Sequence, residues 1–219
     1  RMKTRPFLTA AWRDLLLLNW RVDPALLQPH VPADVKLDPW RGEHFVSVVG
    51  FRFLDLAVKG MPAVGHRDFP EINLRFYVQR EVRGEIRRGV VFLRELTPYR
   101  MVEWVARAVY NEPYKTLPMR SEIGETQTQY ELQQAGKWQG MAATPVGDWR
   151  EPAAESMEAF FIELVLNANH GHFDEVRSAA LNGGIHCDSL GTLANIAILA
   201  LECWEITSSA GQRCDVALL

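Results

Sequence analysis

A single lysine, Lys115, stands in the stretch ARAVYNEPYKTLPM, residues 106–119, beyond a helix-like run and a proline and among apolar residues. A lysine turned into an apolar interior becomes partly neutral and can attack a carbonyl to form an imine. A plainer account also exists, because a cation just past a helix C-terminus gains about 0.3 to 1 kcal/mol from the helix dipole. Tyr114, beside it, has the makings of a packing residue with one satisfied hydroxyl. Arg13 lies between two apolar segments and so requires a partner, either a ligand carboxylate or one of Asp14, Asp23 and Glu71. Glu71, directly before an alternating run, reads as a strand-end surface charge.

Other constellations are weaker. His170 and His172 in NHGHF, with His186 and Cys187 in GIHCD, carry ligand types that zinc accepts, but their spacings match no strong zinc signature and no metal is expected. The serines lack a G-x-S-x-G elbow, and neither a P-loop nor G-x-G-x-x-G occurs, so hydrolase, nucleotide and dinucleotide chemistry have no positive support and no cofactor is expected. The net charge of -3 exerts no broad pull on nucleic acid. The basic run over residues 80–88 interleaves with Glu81 and Glu85 and reads as a solvated hairpin. Three cysteines without C-x-x-C give no disulfide framework. No apolar run approaches the about 20 residues that cross a bilayer, and Leu15 to Leu18 are flanked by Asp14 and Asn19 rather than forming a leader's apolar core. The expectation is a cytoplasmic protein with no nucleic-acid or membrane partner.

The elements that must position these residues follow from periodicity. WRDLLLLNWRV is a buried or β-rich run. Asp23 can cap and Pro24 open a short helix through about Gln28, with a strand starting near Val35. FVSVVGFRF reads as a strand with Gly50 as a bulge. In EINLRFYVQ, Ile72, Leu74, Phe76 and Val78 share one face at period two, and Gly84 turns the chain into the return strand GVVFLREL. Residues 100–111 switch to helical spacing. EIGETQTQYELQQAGKWQGMAA reads as a polar outer hairpin, and a second helix is expected with Pro152 in its first turn. This order favours an antiparallel α+β domain over βαβ units.

Two stretches carry a family resemblance. WRDLLLLNWRVDPALLQPHVPADVKLD, and FPEINLRFYV together with RMVEWVARAVYNEPYK, resemble the acetoacetate decarboxylase superfamily and, within it, the uncharacterised bacterial YqjF-like branch. The resemblance runs over about residues 7 to 162. It implies an antiparallel sheet curled into a cone-like barrel, fully or incompletely closed, with a few helices. In the decarboxylases a lysine following a proline forms a Schiff base with a β-keto acid, its amine kept neutral by desolvation and a neighbouring cation. Pro113 matches that proline, Tyr114 stands where the nucleophile would be, and Lys115 falls on the second, modulating lysine. Arg13 matches the substrate-carboxylate arginine and Glu71 one active-site glutamate, while the other glutamate position falls near Val46.

The resemblance thus implies a protein that binds a small organic acid or carbonyl compound, with Arg13 on its carboxylate and Tyr114, Lys115 and Glu71 nearby. Two alternatives stand beside it: a variant lyase in which Lys115 forms the imine, and a structural protein with a filled core. After Glu163 the chain departs from the YqjF-like pattern and is alanine- and leucine-rich. Residues 1–163 are therefore expected to form the barrel domain and residues 164–219 a helical tail, with exposed sheet edges favouring a homodimer.

Overall fold

The computed structural model describes residues 8–58, 60–63, 65–110, 112–144, 152–168, 179–180 and 214–218. Four consecutive leucines cannot all face one side of a strand, and β1 (Leu8–Arg21) sends Leu16 and Leu18 into one core cluster and Leu15 and Leu17 into another. A strand that is apolar on both faces needs cover on both. The same holds for β3 (Phe45–Val58), and its neighbour β5 (Phe69–Val82) is buried on both faces from Glu71 to Val78.

The remaining elements follow the chain. Asp23 caps α1 (Pro24–Leu27) by accepting from the Ala25 amide at 2.9 Å. Short strands β2 (Lys36–Leu37) and β4 (Met61–Pro62) pair with β5 and β3. Arg83 and Gly84, at φ 56 and 82°, form the two-residue turn from β5 into β6 (Glu85–Thr97), where the left-handed backbone suits a tight hairpin. The helix expected over residues 100–111 is present as α2 (Arg100–Val105), continued by a π-helical turn at Ala106–Tyr110. Next comes β7 (Tyr114–Thr116), which lies parallel to β6. Among the described residues no helix is long and apolar enough to cross a membrane.

Strands β8 (Met119–Ile123), β9 (Thr128–Gln134) and β10 (Lys137–Ala143) form a separate antiparallel sheet. It is not the polar outer hairpin that the sequence suggests. Its alternate residues Tyr130, Leu132, Met141 and Ala143 are buried against Leu16, Val48, Ile72 and Leu74 of the main sheet, because period-two alternation turns the polar half outward. On the opposite face lies α3 (Met157–Ala168), which begins after Ser156, whose hydroxyl accepts from the Ala159 amide at 3.1 Å, rather than at Pro152.

Three further expectations are corrected. Neither bulge between β1 and β3 is at Gly50: Asp14 and Leu15 of β1 together oppose Phe51, Asp55 and Leu56 of β3 together oppose Ala10, and Asp14 and Asp55 have φ 57 and 56°. Gly50 is small because the Tyr130 ring packs onto it, and a Cβ there would sit 2.7 Å from Tyr130 Cδ2. The main sheet does not close into a barrel among the described residues; its path runs β11 (Ala179–Ala180), β12 (Cys214–Leu218), β1, β3, β5, β6, β7. Terminal strand β7 has three residues and lies between Pro113 and Pro118, which cannot donate to a ladder, so it offers little backbone for closure. Finally, the tail is not helical throughout, since β12 pairs antiparallel with β1 and β11 with β12; the segment SLGTLANIAILALECW lies outside the described residues.

Candidate functional site

Strand alternation turns Glu71, Asn73, Arg75 and Tyr77 of β5 away from Ile72, Leu74, Phe76 and Val78, and all eight side chains are buried. The polar row therefore lies inside the molecule, with Phe160 and Phe161 of α3 over its Tyr77 end. Neighbouring strands add to it. Glu95 of β6 stands directly opposite Asn73, and Tyr114 of β7 directly beside Glu95. The Tyr114 hydroxyl donates to Glu71 Oε2 at 2.8 Å.

Strand β7 is held in register by backbone and side chain together. The Glu95 amide donates to the Pro113 carbonyl at 3.2 Å, and Glu103 of α2 accepts from the Thr116 amide at 3.0 Å and the Thr116 hydroxyl at 2.5 Å. Those two bonds hold the Glu103 carboxyl below the usual carboxylate range. The result is that a three-residue strand delivers one tyrosine to a buried carboxylate.

Burial dominates the electrostatics here. It pushes Glu71 up to about 8, against the opposing pull of the Tyr114 hydroxyl and of the Asn73 amide, while Glu112 adds to the rise. The Asn73 amide stands close without forming a hydrogen bond of regular geometry. Glu95 is pushed up to about 10, by burial first and then by Glu71 and Glu112, against an opposing pull from the Tyr114 hydroxyl. Tyr114 is likewise held well above the usual tyrosine range by burial and the adjoining carboxyls. At neutral pH this group stores protons rather than charge.

Arg75 has a different character. It is 0% exposed, and none of its three guanidinium nitrogens has a hydrogen-bond partner among the described residues; the Tyr77 ring lies 5.9 Å from its Cζ. Both amide atoms of Asn73 and Glu95 Oε2 are equally unanswered. Opposite Arg75, Ser47 of β3 donates to Asn19 Oδ1 at 2.5 Å and meets the Tyr77 hydroxyl at 2.5 Å. The cover comes from α3: Phe160 and Phe161 pack on Tyr77 with centroids at 5.7 and 5.1 Å, and Phe161 on Phe45 at 5.3 Å. Arg88 fastens this helix, with Cζ 4.0 Å over the Phe160 ring and contacts to Asp38 at 2.6 Å and Glu163 at 3.1 Å.

The structure brings together two of the four residues singled out by sequence, Glu71 and Tyr114. Glu71 is 1% exposed and no strand-end surface charge, because β5 starts two residues earlier at Phe69. Arg13 is exposed, and each partner considered for it is engaged elsewhere: Asp14 with Arg52 at 2.7 Å, Asp23 as the α1 cap, Glu71 with Tyr114. Lys115 is half-buried and opposite Leu96, so strand alternation directs it away from Glu71 and toward the core on the other face of the sheet. His170, His172, His186 and Cys187 lie outside the described residues. Among the described residues no group of three His, Cys, Asp or Glu side chains is arranged to hold a metal.

Sequence reasoning missed Asn73, Arg75 and Glu95. One signal was available: the adjacent strand FVSVVGFRF is apolar at nearly every position, which requires cover on both faces, and β5 beside it shares that cover.

Comparison with known proteins places this architecture. A family model for DUF2071, described as an uncharacterized conserved protein, matches residues 9–176. The chain belongs to this family. Uncharacterized protein YqjF of Bacillus subtilis (strain 168) is 32% identical over 112 residues, which cover 51% of this chain and 45% of that protein. The alignment thus spans less than half of the curated relative's length. Among solved structures, acetoacetate decarboxylase from Legionella pneumophila superposes with a TM-score of 0.57 at 13% identity, over 97% of this chain and 82% of the other. The fold of this DUF2071 protein is therefore acetoacetate decarboxylase-like.

Proposed function

We propose that the protein binds a small organic acid on the inner face of its main sheet, with the carboxylate at Arg75 and the polar remainder against Asn73, Glu95, Tyr114 and Glu71. The observation that carries this reading is the wholly buried Arg75 guanidinium with no hydrogen-bond partner among the described residues. A guanidinium keeps its charge, and an uncompensated buried charge costs several kcal/mol, so a fold that retains one needs a guest anion to answer it. A planar carboxylate fits the fork of donors. The fold shared with an acetoacetate decarboxylase supports an acid as the guest, while Tyr114, which has no amine, supports recognition without an imine.

Thermal unfolding with three- to five-carbon carboxylic acids, and with the matching amides, tests this. Acids should raise the midpoint and amides should not; occupancy at 100 times Kd stabilises by about 2.7 kcal/mol. Arg75→Met should abolish the response while leaving the unliganded protein as stable or more so, because a buried unpaired charge is removed. An equal response to acids and amides, or an undiminished response in Arg75→Met, would overturn the proposal.

A further inference from the structure

We infer that the outer edge of β10 is a self-association surface, on which a second copy of this chain pairs its own β10 antiparallel about Gly140. The hydrogen-bond register decides which groups that edge presents. The Gln133 amide donates to the Pro118 carbonyl at 2.8 Å, so the odd-numbered residues of β9 point their backbone groups toward β8. The even-numbered residues, Thr128 to Gln134, therefore point toward β10 and pair there with Lys137, Gln139, Met141 and Ala143. On the outer side of β10 remain the N–H and C=O groups of Trp138, Gly140 and Ala142. Among the described residues no strand lies beyond them, because β10 ends its sheet.

The other ends of the two sheets are blunted, and this one is not. Strand β7 lies between Pro113 and Pro118, β11 has two residues, and β8 follows Pro118 and carries Arg120 and Glu122. Strand β10 has seven residues, KWQGMAA, with no proline and one charge, at its first position. Edge strands are ordinarily protected by proline, by charge, by a bulge or by being short, and one without such protection is a template for another strand.

The edge is also self-complementary. Gly140 is the midpoint of β10, so a two-fold axis there aligns the whole strand with its copy and lets each outward N–H meet an outward C=O. On the outer face this sets Trp138 opposite the second copy's Ala142, a large ring against a methyl, and leaves no side chain on the axis itself. Lys137 falls opposite the second copy's Ala143, at the far end from its own counterpart. Trp138 is 39% exposed, and its ring is held by Arg120, whose Cζ lies 4.2 Å over it and whose Nε meets Glu131 at 2.6 Å. A tryptophan held in place beside an unused ladder is suited to anchor a contact.

Sedimentation velocity from about 1 to 500 μM tests this, since a single strand pairing lies at the small end of interfaces that persist. The wild-type protein should pass from monomer to dimer across that range. Ala142→Pro removes one outward N–H and leaves the ladder to β9 intact, so it should stay monomeric throughout with an unchanged far-UV circular dichroism spectrum. Trp138→Lys leaves the backbone whole and should weaken association about tenfold or more. In a mixture of isotope-labelled and unlabelled chains, filtered NOEs should join the Ala142 methyl of one copy to the Trp138 ring of the other, because within one chain the two residues are about 13 Å apart along the strand. A monomer at every concentration would overturn the inference, as would wild-type association by a folded Ala142→Pro or by Trp138→Lys. A dimer lacking the NOE would overturn the pairing about Gly140.

Discussion

Glu95→Gln should stabilise the protein, and by an amount that depends on pH in a direction the structure dictates. In the unfolded chain a glutamate titrates at 4.5, whereas in the folded protein burial and the adjoining carboxyls push Glu95 up to about 10. Below the unfolded value both states carry the proton and folding incurs no cost. As pH rises the unfolded chain releases it while the folded protein must retain it, so stability falls until the folded value is reached. Each unit is worth about 1.4 kcal/mol, and from pH 5 to pH 8 the loss attributable to this carboxyl approaches about 4 kcal/mol. Its neighbour Glu71 shares the site, so about 2 to 4 kcal/mol is the range expected for one substitution. Glutamine keeps the shape and cannot ionise. At pH 5 the variant should therefore unfold close to wild type. At pH 8 it should unfold roughly 5 to 15 °C higher, at 2 to 4 °C per kcal/mol for a chain of this size. Calorimetry at the two pH values is the assay. A shift of equal size at both, or a variant less stable than wild type at pH 8, would refute the claim that Glu95 is protonated inside the fold.

Gly50→Ala should lower the urea midpoint by about 1 to 3 kcal/mol of stability, since the added methyl would sit 2.7 Å from Tyr130 Cδ2 between two packed sheets; a neutral outcome would mean that the second sheet packs elsewhere. Ser47→Ala should cost about 1 to 3 kcal/mol in the same assay, because it removes two buried hydrogen bonds, to Asn19 Oδ1 and to the Tyr77 hydroxyl; an unchanged midpoint would refute this.

Several elements were legible in the chain because their signals are local. The Asp23–Pro24 helix start, the Gly84 hairpin turn and the period-two run from Ile72 to Val78 rest on neighbouring residues and appear where expected. Of the site, Glu71 and Tyr114 were found through family resemblance rather than through any pattern of their own. Arg75 and Glu95 were not found, because each sits in an alternating strand at a position that reads as solvent-facing.

By itself the sequence determined which stretches are extended, where they turn, and that β1 and β3 must be covered twice, since a run such as LLLL leaves no polar face to give to water. Only the tertiary structure decided that the polar half of β5 is buried, that Arg75 rather than Arg13 is the buried cation, and that Tyr114 rather than Lys115 meets Glu71. The reason is physical. The inner face of β5 is covered at Tyr77 by Phe160 and Phe161 from far along the chain, and a one-residue step along β7 exchanges the side chain on that face for one on the other face of the sheet.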